Sequence, residues 1–130
     1  MAELDPRLQQ DCLVIGRFPL CHLLLMKDAN YPWFILVPDR PGVTAIHQLS
    51  VADQPRLIDE SSRLAASLVR LFQPDKLNIA ALGNVVPQLH IHHVVRYRHD
   101  RAWPAPDWGK VPARAYSEQQ IAGIVLQLKR

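Results

Sequence analysis

The stretch Gln88-Leu89-His90-Ile91-His92-His93 decides how the chain is interpreted, because polar and apolar residues alternate from Gln88 to His92. In a β-strand, every second side chain points to the same face. A strand here places Gln88, His90 and His92 on one face and Leu89, Ile91 and His93 on the other. Two imidazoles about 6–7 Å apart on a rigid strand could form a nucleophile with an acid/base partner, or begin a metal site.

The same stretch resembles the signature of the histidine triad superfamily, His-φ-His-φ-His-φ-φ, in which φ is an apolar residue. His90 matches the middle histidine, which is the nucleophile in that family, and His92 matches the third. Gln88 stands where the family has its first histidine. Residues 83–87, Gly-Asn-Val-Val-Pro, resemble the run that leads into the triad, and residues 33–38 resemble the family's apolar strand ending in proline. The resemblance covers roughly residues 20–98.

Capping residues and apolar spacing predict the helices. Asp5 followed by Pro6 is typical of a helix N-terminus and predicts a short helix to about residue 11. The main helix is predicted to begin between residues 50 and 55 and to end near Phe72, because apolar residues recur there at helical spacing. A capping-box pattern, Ser117-Glu118-Gln119-Gln120, predicts a last helix.

Strands are predicted over residues 13–15, 20–26, 33–37, 76–82 and 88–97. The fold class is therefore α+β: a five-stranded, mainly antiparallel sheet with one main helix and short N-terminal and C-terminal helices. This order agrees with the histidine triad fold, which the family builds into a dimer. The strand at 76–82 is apolar on both faces and must be covered twice, by the main helix on one side and by another strand or a second subunit on the other. We expect a homodimer with this strand and the main helix at its interface.

Composition limits the classes of partner. The chain has 130 residues, of which 48% are hydrophobic and 21% charged, which predicts one domain over 1–130 with a core at about 13–98 and a tail and helix at 99–130. A net charge of +3 without a dense basic run suits a small anionic ligand better than duplex nucleic acid. We find no signal-peptide pattern and no run near the ~20 apolar residues that span a bilayer, so we expect a cytoplasmic protein without a membrane partner.

The resemblance implies covalent catalysis by histidine. An unprotonated imidazole nitrogen is a good nucleophile near neutral pH. His90 is then expected to attack an α-phosphate through Nε2, while its Nδ1–H is held by the backbone carbonyl of residue 88, a group that a change from histidine to glutamine preserves. Water would later hydrolyse the nucleotidyl-histidine. His92 would protonate the leaving group or stabilise the phosphoryl oxygens, and His93, on the opposite face, is expected to be packed.

The resemblance also suggests substrate contacts. Gly83 and Asn84 are expected near the phosphate, Asn78 near the ribose and the scissile phosphate, and Asp28 near the ribose hydroxyls, and Gln88 is also expected to contact the substrate. Each has a structural alternative: a Gly-Asn pair also makes a plain turn, and an aspartate also caps one. For Trp33, core packing is favoured over base stacking. The arginines at 96, 98 and 101 are typical of a solvated face, with attraction of a polyphosphate as the alternative.

These observations predict a nucleotidyl hydrolase or transferase that cleaves at an α-phosphate. The resemblance suggests dinucleoside polyphosphates and nucleoside phosphoramidates as substrates, and the histidine chemistry needs no cofactor. The alternative is a nucleotide-binding module that lost turnover together with the first triad histidine. A zinc site on His90, His92 and a third ligand is a further alternative, but the sequence offers no carboxylate or cysteine at matching spacing.

Overall fold

A computed structural model describes residues 2–106 and 111–129 of the chain. The elements in chain order are α1 (Pro6–Asp11), β1 (Cys12–Arg17), β2 (Cys21–Met26), β3 (Trp33–Pro38), a 3₁₀ turn (Ile46–Gln48), α2 (Asp53–Phe72), β4 (Lys76–Ala81), β5 (Ile91–Arg96) and α3 (Glu118–Leu128). The α+β class and the order of elements agree with the prediction from sequence. Residues 107–110 of the predicted tail lie outside the described residues.

The strands form one five-stranded sheet in the order β1-β2-β3-β5-β4. Each neighbouring pair is antiparallel, and Ile35 of β3 lies opposite His92 of β5. Strands β3 and β5 lie in the interior of the sheet, and every residue of both strands is buried. The rigid centre of the sheet therefore carries His92, and His90 immediately precedes β5 in the chain.

The two faces of the sheet are covered to different extents by the helices. Helix α2 buries Leu57, Leu64 and Leu68 against the sheet, and α3 packs on the same core. Helix α2 ends at Phe72 because Gln73 adopts a left-handed conformation (φ 47°) and Pro74 follows it. On the other face, short α1 and the C-terminal segment pack around a second apolar cluster. This thinner cover leaves room for a pocket.

The predicted strand at 88–97 is shorter in the structure. Strand β5 begins at Ile91, which pairs with Ala81, so residues 82–90 form the connection between β4 and β5. Pro87 has no backbone N–H to give to a sheet, and the N–H of Leu89 bonds to the carbonyl of Val43 instead of to a strand partner. The alternation of faces nevertheless holds from Leu89 to His93, because Leu89 and Ile91 lie in the core beneath α2.

The prediction that the strand at 76–82 is covered on both faces is not met within the chain. Strand β4 is an edge of the sheet, and its side chains are exposed or half-buried. Ile79 on β4 is 49% exposed. Two apolar residues on α2, Ile58 (59%) and Val69 (50%), are exposed to a similar extent. The structure therefore leaves the apolar side chains of Ile58, Val69 and Ile79 exposed at the surface of the chain.

Arg96 is not on a solvated face, because it is 1% exposed at the end of β5. Its guanidinium donates to both carboxylate oxygens of Asp100, to Oδ1 of Asn78 and to the carbonyl of Ala105. Arg98 and Arg101, in contrast, are exposed as expected. The buried guanidinium joins β4, β5 and the segment that follows β5.

Candidate active site

A pocket of about 710 Å³ opens on the face of the sheet opposite α2. It contains most of the residues that the sequence proposed for the site: Asp28, Gly83, Asn84, His90 and His92. The turn after β2, the connection before β5 and β5 itself bring these residues together. Residues more than 60 positions apart in the chain thus line one cavity, as the resemblance implied.

His90 is held by the backbone of its own segment. Its Nδ1 lies 2.7 Å from the carbonyl oxygen of Gln88. Because a carbonyl only accepts hydrogen bonds, Nδ1 carries the proton, and the lone pair of the neutral ring lies on Nε2. The ring is buried and lines the pocket. This is the orientation that nucleophilic attack through Nε2 requires, and it uses no side-chain atom of residue 88.

His92 lies beside His90 and is held from the neighbouring strand. The two ring centroids are 4.9 Å apart and the rings meet edge to face. The indole Nε1 of Trp33 lies 3.0 Å from Nδ1 of His92. Trp33 pairs with Val94 in the sheet, so His92 is its diagonal neighbour on the same face and is within reach of a long aromatic side chain.

His93 points into the core on the side of α2. Its Nδ1 lies 3.1 Å from the carbonyl of Ile91 and its Nε2 lies 2.7 Å from the hydroxyl of Ser61. The carbonyl requires the proton on Nδ1, so the Ser61 hydroxyl donates to Nε2. The side chain is fully buried. The expectation of a packed, hydrogen-bonded histidine is confirmed by these contacts.

The buried histidines make the fold sensitive to acid. Burial, together with the His90 and His93 rings, lowers the pKa of His92 to about 4. Burial also lowers the pKa of His93 to about 4, against the opposing effect of the bond to Ile91. The unfolded chain, in which both pKa values return to about 6.5, therefore binds more protons than the folded chain between about pH 6.5 and 4.

We accordingly expect the free energy of unfolding to be constant above about pH 7 and to fall as the pH drops from about 6.5 to 4. Each histidine contributes a loss of up to about 3 kcal/mol, since one pKa unit corresponds to about 1.4 kcal/mol. Urea denaturation at a series of pH values measures this slope. His93→Gln, which cannot titrate, should show about half of this pH dependence. An unchanged slope in this variant would contradict the contribution of His93 to the acid sensitivity.

Asp28 both closes a turn and lines the pocket. Its Oδ1 accepts hydrogen bonds from the backbone and the side chain of Asn30 and from the backbone N–H of Arg114. The aspartate is therefore a turn cap, as its structural alternative predicted. The same carboxylate also lies in the pocket lining.

Gly83 and Asn84 form the rim of the pocket where the chain leaves β4. Gly83 has φ +84°, a conformation that favours glycine. Asn84 follows it and is exposed. The turn that sequence analysis allowed is thus present, and it delivers the Asn84 side chain to the mouth of the pocket.

A family model for the HIT domain matches residues 7–99, the stretch that runs from α1 through the histidine strand. The chain belongs to the histidine triad family. Membership places it among proteins of the nucleotide hydrolase and transferase type. Among curated proteins, none matches the chain.

Solved histidine triad proteins share the fold over almost the whole chain. A protein from Bradyrhizobium japonicum is 43% identical with a TM-score of 0.97, and the match covers 99% of this chain and 96% of that one. A protein from Marinobacter aquaeolei is 48% identical with a TM-score of 0.96, covering 99% and 94% of the two chains. A third, from Sinorhizobium meliloti, is 38% identical with a TM-score of 0.96, covering 98% and 95%.

The residue at the first triad position turns its side chain away from the pocket. The amide of Gln88 accepts a hydrogen bond from the backbone N–H of Asp5 and donates one to the carbonyl of Glu3. Gln88 therefore anchors the N-terminal segment, and its backbone carbonyl alone reaches the triad. Asn78 also lies outside the pocket lining, with its Oδ1 bonded to Arg96, so its role near the ribose stays a prediction.

Two parts of the histidine triad pocket could not be predicted from the sequence. Arg7, Leu8, Gln10 and Asp11 of α1 form one wall, and Val111 and Ala113 of the C-terminal segment contribute another. That segment is fastened across the turn after β2, since Asn30 donates to the carbonyl of Pro112. No local sequence pattern predicts that these two segments line the pocket, because both reach it by crossing the open face of the sheet from distant parts of the chain.

Two further results concern metals and membranes. Among residues 2–106 and 111–129, no group of three or more His, Cys, Asp or Glu side chains is placed to hold a metal ion. No helix in this part of the histidine triad chain combines the length and the apolar character needed to cross a bilayer.

Proposed function

We propose that the protein is a nucleotidyl hydrolase or transferase that cleaves nucleotide conjugates at the α-phosphate through a histidine-linked intermediate. Nε2 of His90 attacks the α-phosphorus, a nitrogen–phosphorus bond forms, and the bond to the leaving group breaks. The leaving group departs with the electron pair and is protonated. Water then attacks the phosphorus, breaks the nitrogen–phosphorus bond and releases a nucleoside monophosphate with the histidine regenerated.

One observation carries this proposal: the 2.7 Å bond between Nδ1 of His90 and the carbonyl of Gln88. It fixes the tautomer in which Nε2 carries the lone pair, inside a pocket that is large enough for a nucleotide-sized ligand. The bond comes from the backbone, so it does not depend on a histidine at position 88. The substitution by glutamine therefore gives no reason to expect loss of turnover.

The remaining site residues fit a nucleotide with its phosphate next to the histidines. Asn84 at the pocket mouth would donate its amide to a phosphate oxygen, and the glycine before it lets the backbone come close. Asp28 uses Oδ1 for the turn, and we propose that Oδ2 accepts from the ribose hydroxyls. The apolar side chains of Leu8, Ile35, Val86 and Val111 in the lining would pack on the base.

The rival function is nucleotide binding without turnover. The test is to incubate the purified protein with a panel of dinucleoside polyphosphates and nucleoside phosphoramidates and to identify products by mass spectrometry. The proposal predicts release of a nucleoside monophosphate from at least one conjugate. Saturable binding of the same conjugates without any product would contradict it and favour the binding module.

We also propose that the protein is a two-fold symmetric homodimer built on α2 and β4. Ile79 of β4 lies opposite His93, whose ring contacts Ser61 of α2, so the exposed edge of the sheet runs beside the helix. An unpaired strand edge flanked by exposed apolar side chains favours pairing with a second chain. A two-fold axis would place this surface of each protomer against its own copy.

Ile79→Lys is expected to convert the dimer into a monomer, because the substitution places a charge in the centre of the proposed interface. Light scattering at micromolar concentration measures the mass. Val14→Lys is the matched control, since Val14 is also an exposed apolar residue on an edge strand (58% exposed) but lies at the opposite edge, on β1. A monomeric wild type, or dissociation of the Val14→Lys variant alone, would contradict this interface.

A further inference from the structure

The hydrogen bond between Trp33 and His92 determines which nitrogen of the His92 ring carries the proton. An indole N–H can only donate, so Nδ1 of His92 must accept and must be unprotonated. The proton of the neutral ring then lies on Nε2. The two pocket histidines are therefore held in opposite tautomers: His90 has its proton on Nδ1 and His92 has its proton on Nε2.

We propose that Trp33 is a positioning residue that fixes His92 as the neutral Nε2–H tautomer, so that His92 acts as a permanent hydrogen-bond donor to a phosphoryl oxygen and not as an imidazolium acid. This inference rests on the proposed function and decides between the two roles expected of His92 from the sequence, protonation of the leaving group and stabilisation of the phosphoryl oxygens. A neutral imidazole that gave up its Nε2 proton would become an imidazolate. His92 therefore stabilises charge without transferring the proton, and the leaving group is protonated from water.

The surroundings of His92 favour the neutral ring. Both Trp33 and His92 are buried, and a charged imidazole is costly to bury. A second proton on Nδ1 would also meet the indole N–H head-on, donor against donor. Among the described residues, the titratable and charged groups near the ring are His93 on its own strand, His90 just before that strand and, in the lining of the pocket, Arg7, Asp11, Lys27 and Asp28.

A neutral His92 ring suits its position beside His90, because the nucleophilic Nε2 of His90 must stay unprotonated. The His90 and His92 rings are in contact, and a positive charge on His92 would compete for the same phosphate while repelling the charged intermediate formed on His90. A fixed neutral donor supplies a hydrogen bond where negative charge develops, without any need for a proton to arrive first. Trp33 thus has a role that neither core packing nor base stacking describes.

The tautomer is tested directly by NMR on the free protein labelled with ¹⁵N. We expect the wild-type His92 ring to show a protonated Nε2 and an unprotonated, hydrogen-bonded Nδ1 at neutral pH. Trp33→Phe should abolish that signature and let the ring sample the other tautomer. Trp103→Phe, at a tryptophan that packs on Arg96, is the matched control and should leave His92 unchanged. A wild-type His92 with its proton on Nδ1, or with both nitrogens protonated, would overturn the proposal without need of any variant.

The role of the donor is tested by rates. A glutamine amide at position 92 keeps a neutral N–H near the place of Nε2 but cannot become an acid in this range of pH. His92→Gln should therefore stay within about tenfold of the wild-type rate, while His92→Ala should fall about 100-fold, as for loss of one preorganised donor. Equal loss in both variants would show that an imidazolium acid is required and would overturn the proposal.

The two arms separate this inference from the function on which it rests. The NMR measurement requires no turnover, so it decides the role of Trp33 in setting the tautomer even if none of the conjugates is cleaved. Absence of turnover with the expected tautomer would refute the proposed hydrolase or transferase. Turnover with the wrong tautomer would refute the role of Trp33 alone.

Discussion

His90→Ala is expected to lower turnover of a cleavable nucleotide conjugate by about 1,000-fold or more, because removal of a catalytic nucleophile usually lowers the rate by at least this factor. Affinity for a nucleoside monophosphate should change little, because the nucleophile contributes mainly in the transition state. Initial rates and calorimetric titration measure the two quantities on the same preparations.

His47→Ala is the control for this loss, since His47 is exposed on the 3₁₀ turn and lies outside the pocket lining. It should keep wild-type turnover and wild-type affinity. A His90→Ala variant that still turns over at a rate near wild type would remove the covalent mechanism, whatever its affinity. A variant that loses turnover and binding together would assign His90 to substrate binding.

Arg96→Met is expected to lower the free energy of unfolding by about 3–5 kcal/mol, the usual cost of leaving one partner of a buried ion pair behind. The side chains of Arg96 and Asp100 are 1% and 4% exposed, and their closest atoms are 2.8 Å apart. The substitution leaves the buried Asp100 carboxylate with the backbone donors of Tyr97, Ala102 and Trp103 and removes the bonds of Arg96 to Asn78 and Ala105. Urea denaturation at neutral pH measures the loss.

Arg63→Met is the matched control for Arg96→Met. Arg63 pairs with Asp59 at a similar distance of 3.0 Å, but the two side chains are 73% and 61% exposed. Exposed pairs of this kind contribute little, so we expect a change within about 0.5 kcal/mol. Equal stability of the two variants would mean that the buried pair does not hold the end of β5 in place.

The parts of the fold that could be predicted from sequence are those with a local cause. The caps at Asp5 and Ser117, the apolar spacing of α2 and the alternation from Leu89 to His93 each act within a few residues, and the structure has all of them. The bond from His90 to the carbonyl of Gln88 also has a local cause, because it spans two residues. It was expected from the resemblance and is present.

The rest depends on contacts between distant segments. The Gln88 side chain binds the N-terminal segment, and Arg96 is buried because Asp100, Asn78 and Ala105 converge on it. A sequence pattern shows the charge of an arginine but not the carboxylate that will meet it. The bond from Trp33 to His92 could have been inferred only with the register of β3 against β5, which periodicity alone does not fix.

The most direct test of the account is to trap the intermediate. The wild-type protein is mixed with a conjugate that carries a good leaving group, quenched at short times and digested, and its peptides are sequenced by mass spectrometry. We expect a transient nucleotidyl group on His90, absent from His90→Ala and formed in His93→Gln. A nucleotidyl group on His92 or His93, or steady release of product without any adduct, would contradict it.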